Sequence, residues 1–159
     1  MEFFTIGVYN STEQEFFNKL IQNRIDTFCD IRQRRGVRGA QYTFVNSTRL
    51  QARLAELNIR YLYIEGLATP VAIREIQYSA DHQNKELKHE RQHLAPEFIA
   101  EYKHKVLNVF DFGGVIANLN HENAKRIALF CVEEIAEACH RSIVAKKLTE
   151  EYGFMITNL

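Results

Sequence analysis

Residues 125–152 read KRIALFCVEEIAEACHRSIVAKKLTEEY, and the pattern changes halfway. Ile127, Ala128, Leu129 and Phe130 form a short unbroken apolar run, as in a strand covered on both faces. Cys131 is then the last strand residue or the first beyond it. From Ser142 to Tyr152 the residues are good helix formers. Val144, Leu148 and Tyr152 recur at four-residue spacing on one face, and Lys146, Lys147 and Glu150 lie on another. Gly153 follows, where a left-handed residue commonly ends a helix. Cys139, His140 and Arg141 therefore stand at a helix start, where unpaired N–H groups and the helix dipole favour a thiolate or a bound anion.

Working outward, strand and helix patterns alternate along the chain. Residues 3–8 are β-branched and aromatic, and Ser11 with Gln14, or Thr12 with Glu15, makes a capping box for a helix over 12–23. Residues 25–31 give a second buried strand with Asp30 and Arg32 at its carboxyl end. Helical spacing resumes over 47–57 through Leu50, Leu54 and Leu57, and 60–64 is bounded like a strand. Such strand-helix-strand steps predict a parallel sheet. Thr69 and Pro70 suit the N-cap and first residue of a third helix. Residues 96–106 and 111–120 supply two more helices, and 154–157 the last strand. The expected fold is a single α/β domain over 1–159: a three-layer sandwich with a mainly parallel sheet of about five strands, Rossmann-like or flavodoxin-like. Residues 69–120 form a mostly helical excursion before the fourth strand, since parallel strands need a crossover, and are expected to cover one edge of the sheet.

A chain of 159 residues is long enough to bury a real core. Its 20 basic and 20 acidic side chains cancel, so any electrostatic targeting is local. No stretch has the length of a membrane span, and the start MEFFTIG lacks the basic region of a signal peptide; a cytoplasmic protein with no membrane partner is expected. Cys29, Cys131 and Cys139 are too few and too odd in number for a secreted disulfide framework. Cys29, mid-strand, is expected in the core.

In open parallel sheets, ligands bind outside the carboxyl ends of the strands. Asp30 and Arg32, Glu65, and Cys131 with Glu133 are delivered to that edge by three different strands, and Cys139, His140 and Arg141 follow on the same side. Gly7, ending the first strand, would admit a ligand close to the backbone. Arg32, Arg34, Arg35 and Arg38, spaced by Gly36, form a loop suited to phosphate, because guanidinium groups bind it bidentately. Tyr42 and Phe44 could stack on a base or anchor that loop. His82, His89 and His93, in the polar run 81–93, read as a solvated face.

Cys131, Glu133, Cys139, His140 and Arg141 spell C-x-E-x5-C-H-R. With Thr5-Ile6-Gly7 and Asp30-Ile31-Arg32 in the same order, the chain resembles the domain-of-unknown-function family numbered 488 over about residues 3–157. It departs from that family at Val8-Tyr9, where His-Ser is common. The resemblance implies a fold and a site without naming a reaction.

The combined reading is an enzyme, a hydrolase or group transferase, acting on a phosphate-containing or other anionic substrate. Cys139 is the candidate nucleophile, with Glu133, Asp30 and His140 for proton transfer. Arg32, Arg141, Arg34, Arg35, Gly7 and Cys131 are the candidate substrate-binding residues. No cofactor is evident, since neither G-x-G-x-x-G nor G-x4-G-K-[ST] occurs. A metal at Cys131, Cys139 and His140 is the minor alternative, because the paired short spacings of structural zinc sites are absent. Two rivals stand beside the enzyme. One is a nucleotide or nucleic-acid binding module using the arginine loop, with structural cysteines; the other is a thiol redox sensor built on Cys131 and Cys139.

Overall fold

The apolar run that opens the stretch above is the central strand of the sheet, β4 (Arg126–Phe130), buried along all but its first residue. In the computed structural model, which describes residues 1–37, 39–87 and 90–159, β4 pairs in parallel with β1 (Glu2–Ile6) and with β2 (Thr27–Asp30). β3 (Arg60–Tyr63) lies beyond β2 and β5 (Ile156–Asn158) beyond β1, so the five parallel strands run in the order β3-β2-β4-β1-β5.

Successive side chains of a strand point to opposite faces, and each face carries its own helical layer. Phe4, Ile6, Phe28, Ala128 and Phe130 pack against α1 (Glu13–Gln22) and α2 (Ser47–Glu56), through Phe16, Phe17, Leu20, Leu50 and Leu54. Phe3, Cys29, Ile127 and Leu129 meet α3 (Val71–Asn84), α4 (Pro96–Tyr102), α5 (Phe112–His121) and α6 (His140–Tyr152). The result is the three-layer α/β sandwich that the alternating pattern predicts. Cys29 is in the core, and burial pushes its thiol up to about 12, with the negative charges of Asp30 and Asp26 adding to the effect.

The helical excursion covers a face of the sheet rather than an edge. Ile73, Phe98, Tyr102, Leu107, Phe112 and Leu119 share one core cluster with Ile127 and Leu129. Geometry requires this, because the connection from edge strand β3 to central strand β4 has to pass across the sheet, and its apolar side chains then form the second layer. α4 continues as a π-type turn over Lys103–Leu107. Pro70 is the N-cap of α3 rather than its first residue, and β5 begins two positions later than the apolar pattern suggests. Among the described residues no helix is long and apolar enough to cross a membrane.

Of the two possible capping boxes, Thr12 with Glu15 forms. The Glu15 N–H donates to Thr12 Oγ1 at 3.2 Å, and the Thr12 N–H donates to Glu15 Oε2 at 2.8 Å. The bonds that Glu15 Oε2 accepts from the Thr12 N–H and hydroxyl hold the Glu15 carboxyl below its usual value. Replacing Thr12 with Ala removes one capping acceptor, and is expected to cost about 1 kcal/mol. Urea unfolding should show a lower midpoint with an unchanged slope.

Candidate functional site

At the carboxyl edge, the loops after β1 and β2 lead to the α1–α2 layer and the loop after β4 leads to the opposite one. The chain therefore parts above adjacent central strands, and the crevice opens there. What fills the parting is the loop 131–139, and its backbone is held from several sides. The Val8 and Tyr9 N–H groups both donate to the Val132 carbonyl, at 3.1 and 3.0 Å, and Arg91 donates to the Ala138 carbonyl through Nε and Nη2 at 3.2 and 2.9 Å. Arg141 is 1% exposed. It reaches back from α6 to donate to the carbonyls of Glu133 and Glu134, at 2.5 and 2.8 Å.

That placement revises two sequence expectations. Arg141, expected to hold an anion, braces the loop from beneath and is not among the described residues lining the cavity at this edge. Gly7, expected to admit a ligand, admits backbone instead: a Cβ at this position would overlap the Glu133 carbonyl.

The cavity has a volume of about 500 Å³ and is walled by residues from five segments, one of which, leading into α4, supplies Arg91, Leu94 and Phe98. Tyr9 follows β1; Arg32, Gln33, Arg34, Gly36 and Val37 follow β2. Thr69, Arg74, Gln77 and Tyr78 come from the start of α3 and its first turns, and Cys131, Glu133, Cys139 and His140 form the floor. Arg32 and Cys139 thus share one cavity although more than a hundred positions separate them.

Asp30 does not line the cavity; it positions Arg32. The carboxylate, 0% exposed, takes bonds from Arg32 Nε at 2.9 Å and Nη2 at 2.7 Å, and from the Tyr61 hydroxyl at 2.8 Å. Arg32 also lies over the Phe130 ring, 4.5 Å from its centroid, so the guanidinium has one orientation. Its remaining nitrogen, Nη1, is buried without a hydrogen-bond partner, as are Arg74 Nε and Gln33 Oε1 in the same wall.

The other loop arginines divide. Arg34 is exposed and lines the cavity. Arg35 turns away, with its guanidinium 4.3 Å from the Tyr63 ring centroid and Nη1 on Ser47. Arg38 lies outside the described residues. Tyr42 packs against Tyr9, Phe44 is in the core, and Glu65 is exposed, away from the cavity. His82 and His93 are exposed as expected, and His89 lies outside the described residues.

On the floor, His140 Nδ1 sits 3.7 Å from Cys131 Sγ and 3.8 Å from Cys139 Sγ. The ring is held by Tyr102, packed edge-on at 5.4 Å, and by its Nε2, 3.1 Å from the Ile31 carbonyl. A carbonyl can only accept, so Nε2 carries the proton and in the neutral ring Nδ1 presents its lone pair to both sulfurs. Burial alone would raise the Cys139 thiol, but the hydrogen bond from Cys131, with the charge of Arg141 and that of His140 when its ring is protonated, holds it well below its usual value. Cys131, donating that bond and buried, is raised correspondingly and keeps its proton. Chemically, this floor can offer a sulfur nucleophile or bind a soft cation.

Sequence reasoning missed Asp81, Arg91, Arg74 and Gln77. The run 81–93 reads as solvated, yet Asp81 and Arg91 are 6% exposed and paired at 2.7 Å, and Arg91 Nη2 also reaches Glu133 Oε1 at 3.4 Å. A signal was present: Ile73, Gln77 and Asp81 recur every four residues, so the inward stripe of α3 continues from apolar into polar. Because Arg91 joins two buried carboxylates to the loop, Arg91→Met is expected to destabilise the fold by about 3–5 kcal/mol. Urea denaturation tests this; an unchanged midpoint would remove the pairing from the site's support.

These features can be set beside known proteins. No curated protein and no solved structure matches the chain. A family model described as domain of unknown function DUF488 matches residues 12–148, which takes in the arginine loop, the α3 wall and the whole C-x-E-x5-C-H-R floor. The chain belongs to the DUF488 family.

Proposed function

We propose that this protein is a hydrolase or group transferase for a phosphate-containing or other anionic small molecule, bound at the carboxyl edge of the sheet. The observation that carries this reading is Arg32: a buried, rigidly held guanidinium with one nitrogen left unpaired in the wall of a cavity whose floor carries two cysteines and a histidine. Among the described lining residues four are arginines and one, Glu133, is acidic. Asp30 balances Arg32, and Asp81 and Glu133 balance Arg91. Arg34 and Arg74 have no carboxylate partner among the described residues, so an incoming anion finds uncompensated positive charge. Donors fixed in advance at the position of a substrate oxyanion are the commonest source of rate enhancement in acyl and phosphoryl transfer.

Arg32, Arg34 and Arg74 would hold the anion with its electrophilic centre toward the floor, where Cys131, Cys139 and His140 converge. Glu133, beside them in the wall, is the candidate for proton transfer. A cavity of about 500 Å³ suits a small molecule. It suits a nucleic-acid backbone less well, since that would need an open track of charge. The nearness of the two sulfurs, with Cys131, Cys139 and His140 donor atoms all within 4.8 Å of one another, also favours a second reading as a thiol redox site.

Titration calorimetry with inorganic phosphate tests the main reading. A single site is expected, weakened about 10- to 100-fold in Arg74→Gln and in Arg32→Lys, which keeps the charge but loses the fork. Absence of phosphate, sulfate and carboxylate binding would remove the reading. So would steeply salt-dependent binding of a single-stranded oligonucleotide that ignores both substitutions.

A further inference from the structure

We infer that the cavity floor is a binding site for one thiophilic divalent cation of the zinc type, held by Cys131 Sγ, Cys139 Sγ and His140 Nδ1, with its fourth position open to the cavity. The donor atoms lie within 4.8 Å of one another, and the sulfur-to-nitrogen separations are 3.7 and 3.8 Å. Tetrahedral zinc, with bonds of about 2.3 Å to sulfur and about 2.0 Å to nitrogen, spaces those ligands roughly 3.6 Å apart. Both sulfur-to-nitrogen separations thus already suit a cation, and binding would draw the two sulfurs toward each other.

Three further features point the same way. Nε2 of His140 donates to the Ile31 carbonyl, the outer bond that fixes tautomer and ring orientation in metal-bound histidines. Two thiolates and a neutral imidazole neutralise a divalent ion, so the buried centre carries no net charge. Among the described residues the ligand set is three protein groups, and all three residues line the cavity. Structural zinc sites are closed by four protein ligands, whereas sites with three keep a position for water or substrate.

The inference deepens the proposed function and rests on it for the substrate, though the cation site itself does not depend on the anion. Cys139 is then a ligand, and water is the nucleophile. Water in the fourth position loses a proton to the Glu133 carboxylate, and its oxygen bonds to the electrophilic centre of the anion held by the arginines. The bond to the leaving group breaks, and the leaving group takes the electron pair and that proton.

The test uses the untagged, reduced protein, stripped with a chelator and titrated with Zn²⁺ against a chromogenic competitor, then with Co²⁺. One equivalent is expected, and the Co²⁺ form should show the intense visible bands of a tetrahedral ion with a near-ultraviolet thiolate charge-transfer band. Cys131→Ala and Cys139→Ser should each bind Zn²⁺ at least about 100-fold more weakly, with circular dichroism confirming the fold. Folded wild-type protein that takes up neither ion would overturn the inference. A Cys139→Ser variant binding as tightly as wild type would do the same, as would phosphate binding in the stripped protein without any metal uptake. Metal uptake without phosphate binding would support the site and remove the anionic substrate.

Discussion

A buried guanidinium sets the geometry of the carboxyl edge of the sheet. Arg141, the largest fully buried side chain, spends its donors on the carbonyls of Glu133 and Glu134 and so ties the start of α6 to the loop that leaves β4. An uncompensated charge at that depth would be costly. Polar backbone atoms, which a sharp loop leaves without ladder partners, supply the compensation, so the loop and the arginine satisfy each other. The same constraint explains Gly7, whose missing side chain lets the Glu133 carbonyl approach β1. With the loop drawn in, Cys131 at one end and Cys139 at the other come to the same imidazole.

The second half of the site is built on a different principle. Asp30 and Arg32 form a buried, bidentate pair at the end of the same strand, and Tyr61 and Phe130 remove the remaining freedom of carboxylate and guanidinium. Pairing costs desolvation, and a well-packed apolar substitute is often as stable. What the pair retains is orientation, with one nitrogen of Arg32 unengaged in the cavity wall. Arg91 does comparable work on the opposite wall, joining Asp81 and Glu133 to the Ala138 carbonyl. Rigid charges therefore face two cysteines and a histidine across a cavity that distant parts of the chain line.

Much of this is legible in the order of the residues. The unbroken apolar run at 127–130 and the β-branched and aromatic stretches at 3–8 and 25–31 identify buried strands, because a strand covered on both faces takes apolar side chains on both. Thr12 with Glu15, and Gly153, mark helix ends through local chemistry that tertiary packing does not alter. The grouping of the candidate residues is legible too, since Arg32, Cys131, Glu133, Cys139 and His140 all line one cavity. Their division of labour is not. Whether an arginine at a helix start points outward to a ligand or back beneath its loop depends on carbonyls supplied by residues 133 and 134, and no periodicity encodes that choice. Asp81 and Arg91 are hidden for a related reason: two charges in a polar run look solvated until a third charge, Glu133, arrives from a distant loop.

Diffraction from crystals soaked in selenate tests the central claim most directly, because selenium marks the anion by its anomalous signal. The account predicts a peak inside the cavity, within hydrogen-bond distance of Arg32 Nη1 and facing the sulfurs of Cys131 and Cys139. A cavity without selenium in crystals where selenate occupies only outer surfaces, or an Arg32 turned from the floor, would contradict it.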